Sequence, residues 1–122
     1  MASFSRDILG ECKSKLLTAK AEILNRVKET RKDLHFEEKG GDEADQTVRV
    51  LAESETLQMH ERMRKQLLEI EYALSRIDGG NYGVCEETEE VIEVERLRAI
   101  PWTRLSIEGA EIRESIKKRY AR

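Results

Sequence analysis

Two long stretches of this chain carry apolar residues at alternating steps of three and four, with no proline in either, and this pattern limits the fold more than any other feature. In the first, Leu9, Cys12, Leu16, Ala19, Ile23, Val27, Thr30 and Leu34 form one stripe, which predicts a helix from about Ser5 to Leu34. In the second, Val48, Ala52, Thr56, Met59, Met63, Leu67, Ile70, Leu74 and Ile77 do the same and predict a helix from about Glu43 to Asp78. The intervening HFEEKGGD contains Gly40-Gly41, which breaks the helix, and each stripe needs a partner to bury it. The expected fold is mainly α: an antiparallel two-helix coiled-coil hairpin over residues 1–78, with its tip near 35–47, followed by a small module over 79–122. At about 1.5 Å of rise per residue, helices of about thirty residues give an arm on the order of 45 Å. One chain can build such a hairpin alone, so a monomer is expected. Met59 and Met63 read as coil core, with no functional role.

Composition supports a slender shape. With 122 residues, 39% charged and only 5% aromatic, the chain cannot fill a wide core. It has no apolar run long enough to span a bilayer and no basic-then-apolar leader, so a cytoplasmic location is expected. Cys12 and Cys85 are then expected to stay reduced. Charge is uneven along the arm. Residues 1–34 carry eight Lys/Arg against five Asp/Glu, whereas 35–60 carry two against seven. An acidic tip repels phosphates and favours a partner that offers basic side chains or a metal ion.

The tip carboxylates also have a local reading. Asp42 stands where an N-cap accepts hydrogen bonds from the free N–H groups of helix two, and Asp45 three residues on completes a pair like a capping box. On the residues alone, capping accounts for both. A working tip and a cap can coexist.

The segment Asn81–Glu114 has the outline of a small four-cysteine zinc module, but it keeps one thiol: the paired positions read Cys85/Thr88 and Ser106/Gly109. One thiolate cannot hold a structural zinc, so a metal-free module with no cofactor is expected. Val91, Ile92, Val94, Leu97, Ile100, Trp102, Leu105, Ile107, Ile112 and Ile116 offer a miniature apolar core instead. Gly79-Gly80 and Tyr82-Gly83 predict the turn out of helix two, VIEV a short strand of a β-hairpin, and Ile107 to Tyr120 a terminal helix. Trp102, following Pro101, is the expected anchor between module and arm. Cys85 and Cys12 read as small buried residues, with a ligand or redox role for Cys85 as the alternative. His35 and His60 are too isolated in sequence to complete a metal site with Cys85. The run Glu86, Glu87, Glu89, Glu90, Glu93 and Glu95 reads as a solvated face.

GNYGVC, VIEVERLRAIP and LSIEGAEIRE together resemble the C-terminal module of the DksA/TraR proteins, on Tyr82, Gly83, Cys85, Ile92, Arg96, Leu97, Ala99, Pro101, Leu105 and Ile107. A second match lies upstream, where DEADQT resembles that family's D-x-x-D-x-A tip motif through Asp42 and Asp45, with Thr47 in place of alanine. The spacing from Asp45 to Cys85 agrees with the family's arm as well. The resemblance implies a bacterial regulator whose partner is RNA polymerase. Its arm would enter the secondary channel and its tip would approach the catalytic centre, with Asp45 the leading residue and Asp42 second. Thr47 adds a branch and a hydroxyl where the family has a small methyl. The family's response to guanosine tetraphosphate uses basic side chains at positions that here read Glu69, Ile100 and Ala110, which implies reduced dependence on that nucleotide.

Arg96 and the tail residues Lys117, Lys118 and Arg119 are possible partner contacts, although cations at a helix C-terminus also complement its dipole. Nothing in the chain reads as a sequence-specific nucleic-acid motif. Nor does the sequence show a phosphate-binding glycine loop, a nucleophile with a base or a metal-ligand cluster, so an autonomous enzyme is not expected. Two alternatives stay open: a factor assisting transcript cleavage, and a structural coiled-coil adaptor.

Overall fold

The computed structural model describes residues 4–34 and 43–120. Among them, helices α1 (Arg6–Leu34), α2 (Glu43–Gly79), α3 (Val94–Ala99) and α4 (Ile107–Tyr120) follow in order. The chain divides into two compact units, Met1–Ala19 with Glu69–Arg122 and, separately, Lys20–Leu68. Helices α1 and α2 contribute to both. Among the described residues, no helix is long and apolar enough to cross a membrane.

In the unit Lys20–Leu68, Ile23 and Met63 are buried, while Val27, Thr30, Thr56, His60 and Leu67 are half-buried. The Thr30 hydroxyl donates to the Arg26 carbonyl at 2.8 Å, the usual way a mid-helix threonine satisfies itself. Its oxygen also meets His60 Nε2. This polar contact centres the seam on Thr56, His60 and Met63. Met59, expected in the seam, lies to one side of it and is 41% exposed. Val48 and Ala52 are exposed as well.

The other unit holds most of the core. Cys12 and Leu16 from α1 and Ile70 and Ala73 from α2 are buried with Tyr82, Cys85, Ile92 and Leu97. Each large aliphatic side chain there contributes about 2 kcal/mol of transfer free energy. Polar contacts frame this core. Lys15 Nζ donates to the Arg98 carbonyl at 2.9 Å, and Arg98 Nε lies 3.2 Å from Glu11.

Helix α2 ends as a glycine-terminated helix should. Gly80 takes φ +80, its N–H reaches the Ile77 carbonyl at 3.2 Å, and the Asn81 N–H reaches that of Arg76 at 3.1 Å. Arg76 then secures the next turn by donating to the carbonyls of Asn81 and Val84, both at 2.9 Å. Gly83, at φ +87, leaves its open face to the Phe4 ring, which also meets Tyr82 edge-on with centroids 6.5 Å apart.

The expected β-hairpin does not form: among the described residues there is only the isolated antiparallel bridge Val84–Val91. Two bonds flank it, Cys85 N–H to the Glu90 carbonyl and Ile92 N–H to the Gly83 carbonyl, each 2.8 Å. Pairing stops there because Glu89 N–H turns back to the Cys85 carbonyl at 2.9 Å and VERLRA, rich in helix formers, becomes α3 at once. The miniature core is also smaller than expected. Ile92 and Leu97 are buried, but Val91 and Ile107 are exposed, and so are Ile112 and Ile116, because α4 is solvated on all sides from Glu111 onward. Trp102 is half-buried, whereas Tyr82 is fully enclosed.

Candidate functional site

Cys85, Thr88, Ser106 and Gly109 come together in space. Val84 pairs with Val91, and the following turn brings the Thr88 N–H to 3.4 Å from Cys85 Sγ. On the other side Ser106 precedes α4. Its oxygen accepts the Gly109 N–H at 3.0 Å, as an N-cap does, and its hydroxyl donates to Cys85 Sγ at 3.4 Å. Glu93 supplies a second cap, accepting the Ile107 N–H at 3.1 Å.

Burial pushes the Cys85 thiol up, but hydrogen bonds from Ser106 and Thr88 outweigh that effect and bring it down from 9.0 to about 6. Close by, burial and the neighbouring Cys12 thiol push the Tyr82 hydroxyl up. That keeps Tyr82 protonated as the donor of its 2.7 Å bond to the Pro101 carbonyl.

This quartet is not suited to zinc. A structural site needs about four N or S ligands around the ion, and these positions provide one thiol, two hydroxyls and a glycine. A β-carbon at 109 would overlap Cys85 Sγ and stand 3.3 Å from Ser106 Oγ. Among the described residues, no group of three or more His, Cys, Asp or Glu is arranged to hold a metal ion.

Beside the quartet runs a network that the sequence did not reveal. Arg104 donates through Nε to Glu69 Oε2 and through its terminal nitrogen meets Glu69 Oε1, both at 3.0 Å. Its guanidinium lies over the Tyr72 ring, 3.8 Å from the centroid. The Tyr72 hydroxyl donates to Glu86 at 3.0 Å, and Arg113 donates to Glu87 at 3.0 Å. Glu86 also faces Arg104 at 3.9 Å and Arg113 at 3.8 Å, so Glu86 and Glu87 are ion-paired parts of the module, and with Glu93 a cap the acidic run is more than a solvated face. The partners are far apart in sequence, and only the fold brings them together.

The other positions singled out from the sequence lie elsewhere. Arg96 Nε donates to the Leu105 carbonyl at 2.8 Å, which ties α3 to the approach to α4. Lys117, Lys118 and Arg119 are exposed in the last turn of α4. Ile100, at the end of α3, and Ala110, in the first turn of α4, are half-buried. In the other unit, Asp45 and Thr47 are exposed in the first turn and a half of α2. Asp42 and His35 lie outside the described residues.

The family described as the prokaryotic dksA/traR C4-type zinc finger matches residues 80–115, the segment that carries the quartet. The RNA polymerase-binding transcription factor DksA of Caulobacter vibrioides is 40% identical over 103 residues, covering 84% of this chain and 72% of that protein. The solved structure of transcription factor DksA2 from Pseudomonas aeruginosa superposes with a TM-score of 0.82 at 32% identity, covering 95% of this chain and 89% of the other. A Chlamydia trachomatis Dks structure shares the fold at TM-score 0.58 and 20% identity, covering 98% of this chain and all of that one. With a relative matched this closely over most of both chains, and the finger model lying across a frame that retains one thiol, the chain belongs to the DksA/TraR family.

Proposed function

We propose that this chain is a non-enzymatic transcription regulator that binds RNA polymerase. The observation that carries the reading is its 40% identity, over most of both chains, to a protein named for that binding. In this reading the chain engages the polymerase secondary channel and acts on promoter complexes through its acidic tip, with Asp45 leading and Asp42 and Thr47 beside it. Exposure of Asp45 and Thr47 supports that role, because a tip must offer its side chains to a partner. A carboxylate near the polymerase centre can shift which states of its moving parts are populated without making or breaking a bond.

Two refinements belong to the same proposal. The module works without zinc, supported by a donor set that leaves one thiol. Dependence on guanosine tetraphosphate is reduced, because Glu69 is an anion committed to Arg104 and Ile100 and Ala110 bring no charge toward a phosphate.

Core RNA polymerase titrated with the intact chain, Asp42→Ala and Asp45→Ala tests the reading. Wild-type chain should bind and shorten or lengthen promoter-complex lifetime, and Asp45→Ala should bind while losing most of that effect. Failure of the wild-type chain to bind core polymerase would remove the proposal in favour of a coiled-coil adaptor. RNA shortening in halted complexes, abolished by Asp45→Ala, would replace it with a cleavage-assisting role. An alarmone response as large as that of a relative with the basic residues intact would remove the nucleotide refinement alone.

A further inference from the structure

We propose that the frame around Cys85 is a closed, metal-excluding packing in which the Cys85 sulfur occupies the space an ion would need, so that residue 109 must be glycine for as long as residue 85 is cysteine. This deepens the zinc-independent part of the proposed function and rests on it, but not on what the chain does at polymerase.

Gly109 is the informative residue. It is in the first turn of α4 without a left-handed φ, and at such a position alanine is normally the better helix former by about 1 kcal/mol. Backbone conformation therefore does not account for glycine. Packing does: a β-carbon there would overlap Cys85 Sγ, with Ser106 Oγ at 3.3 Å and Glu87 Cβ at 3.4 Å closing the remaining directions. In a tetrahedral thiolate site each sulfur stands about 2.3 Å from the ion, so the metal holds one ligand's sulfur away from another ligand's β-carbon. Here no such gap exists, and the two segments have closed onto the thiol.

The sulfur cannot easily give way. Cys85 is 1% exposed, and its Sγ is held from two sides, by the Thr88 N–H and the Ser106 hydroxyl, each at 3.4 Å. The backbone of residue 85 is pinned by its bonds with Glu90 and Glu89, at 2.8 and 2.9 Å. A single return of cysteine at 109 would therefore place a second sulfur into occupied space and would not begin a metal site.

The test is a double-mutant cycle on the full chain, read as thermal midpoint, together with zinc content by elemental analysis. Gly109→Ala in the wild-type background should lower Tm by on the order of 10 °C, as overpacking does in a domain of this size. In a Cys85→Ala background the same change should cost less than half as much Tm, since the one overlapping atom is gone and only the close contact with Ser106 Oγ is left to set against the gain in helix propensity. Cys85→Gly, which also removes the overlapping atom, is the second background should Cys85→Ala fold poorly. Equal loss of Tm in both backgrounds would overturn the inference, as would stoichiometric zinc in Gly109→Cys. Stoichiometric zinc in the wild-type chain would instead remove the zinc-independent reading on which the inference rests. A metal-free chain with an additive cycle would leave that reading standing and remove this inference alone.

Discussion

Arg104 and Glu69 meet in a two-pronged ion pair, both prongs 3.0 Å, with the guanidinium stacked over Tyr72 one turn further along α2. The arginine approaches α2 from the segment between α3 and α4, so the pair ties the finger segment to the end of α2 within its own unit.

Breaking that pair should weaken the unit modestly. Both side chains are partly open to water, 32% and 41% exposed, and solvent screening limits such a pair to about 1 kcal/mol even with good geometry. Stacking on Tyr72 adds about 0.5–1 kcal/mol. Arg104→Ala should therefore cost more than Glu69→Gln in urea denaturation, and the coupling between the two should shrink in high salt. Equal costs, or a coupling indifferent to salt, would count against this account.

Ser106 serves two neighbours, accepting from the Gly109 N–H and donating to Cys85 Sγ. Ser106→Ala removes an N-cap and the thiol's side-chain donor together, at an expected cost of about 1–2 kcal/mol. Ser106→Thr keeps the hydroxyl and should recover part of the loss if the 5% exposed site admits a methyl group. Chemical denaturation of the three proteins side by side is the measurement.

Tyr82→Phe keeps the ring against Phe4 and removes the 2.7 Å bond to the Pro101 carbonyl. Because that carbonyl is buried with the tyrosine, it is left without this partner, at a cost of about 1–3 kcal/mol. An unchanged denaturation midpoint would mean that a water takes the hydroxyl's place.

The Cys85 thiol gives stability a pH dependence with a definite sign. Its folded value, about 6, is below its ordinary 9.0, so the unfolded chain binds the extra proton between those pH values. The stabilisation is fully present above pH 9 and is lost progressively as pH falls through 6. The stability difference between wild type and Cys85→Ser should widen from pH 6 to pH 9. Parallel pH profiles would show that the sulfur stays protonated in the folded chain.

The helices were legible in the sequence because their cause is local. An uninterrupted apolar stripe with no proline specifies a helix wherever it is, and α1, α2 and α4 appear within a residue or so of their expected bounds. The β-hairpin was misread for a related reason. VIEV has strand-like residues, but the tight turn before it and the helix formers after it leave room for one bridge only. Strand pairing depends on partners supplied from elsewhere in the chain, and the turn supplied none beyond Val84.

The reduction of the finger to one thiol could likewise be read from residue identities alone, because ligand chemistry depends on which atoms are present. Which groups surround the remaining thiol could not. The Cys85 contact with Ser106 and the closeness of Gly109 join segments about twenty residues apart, and the Arg104–Glu69 pair spans thirty-five. The order of residue types along the chain determined the helices and ruled out a four-thiolate site; folding decided which side chains met, because hydrogen bonds, ion pairs and steric overlap act over a few ångströms in space, whatever the separation in sequence.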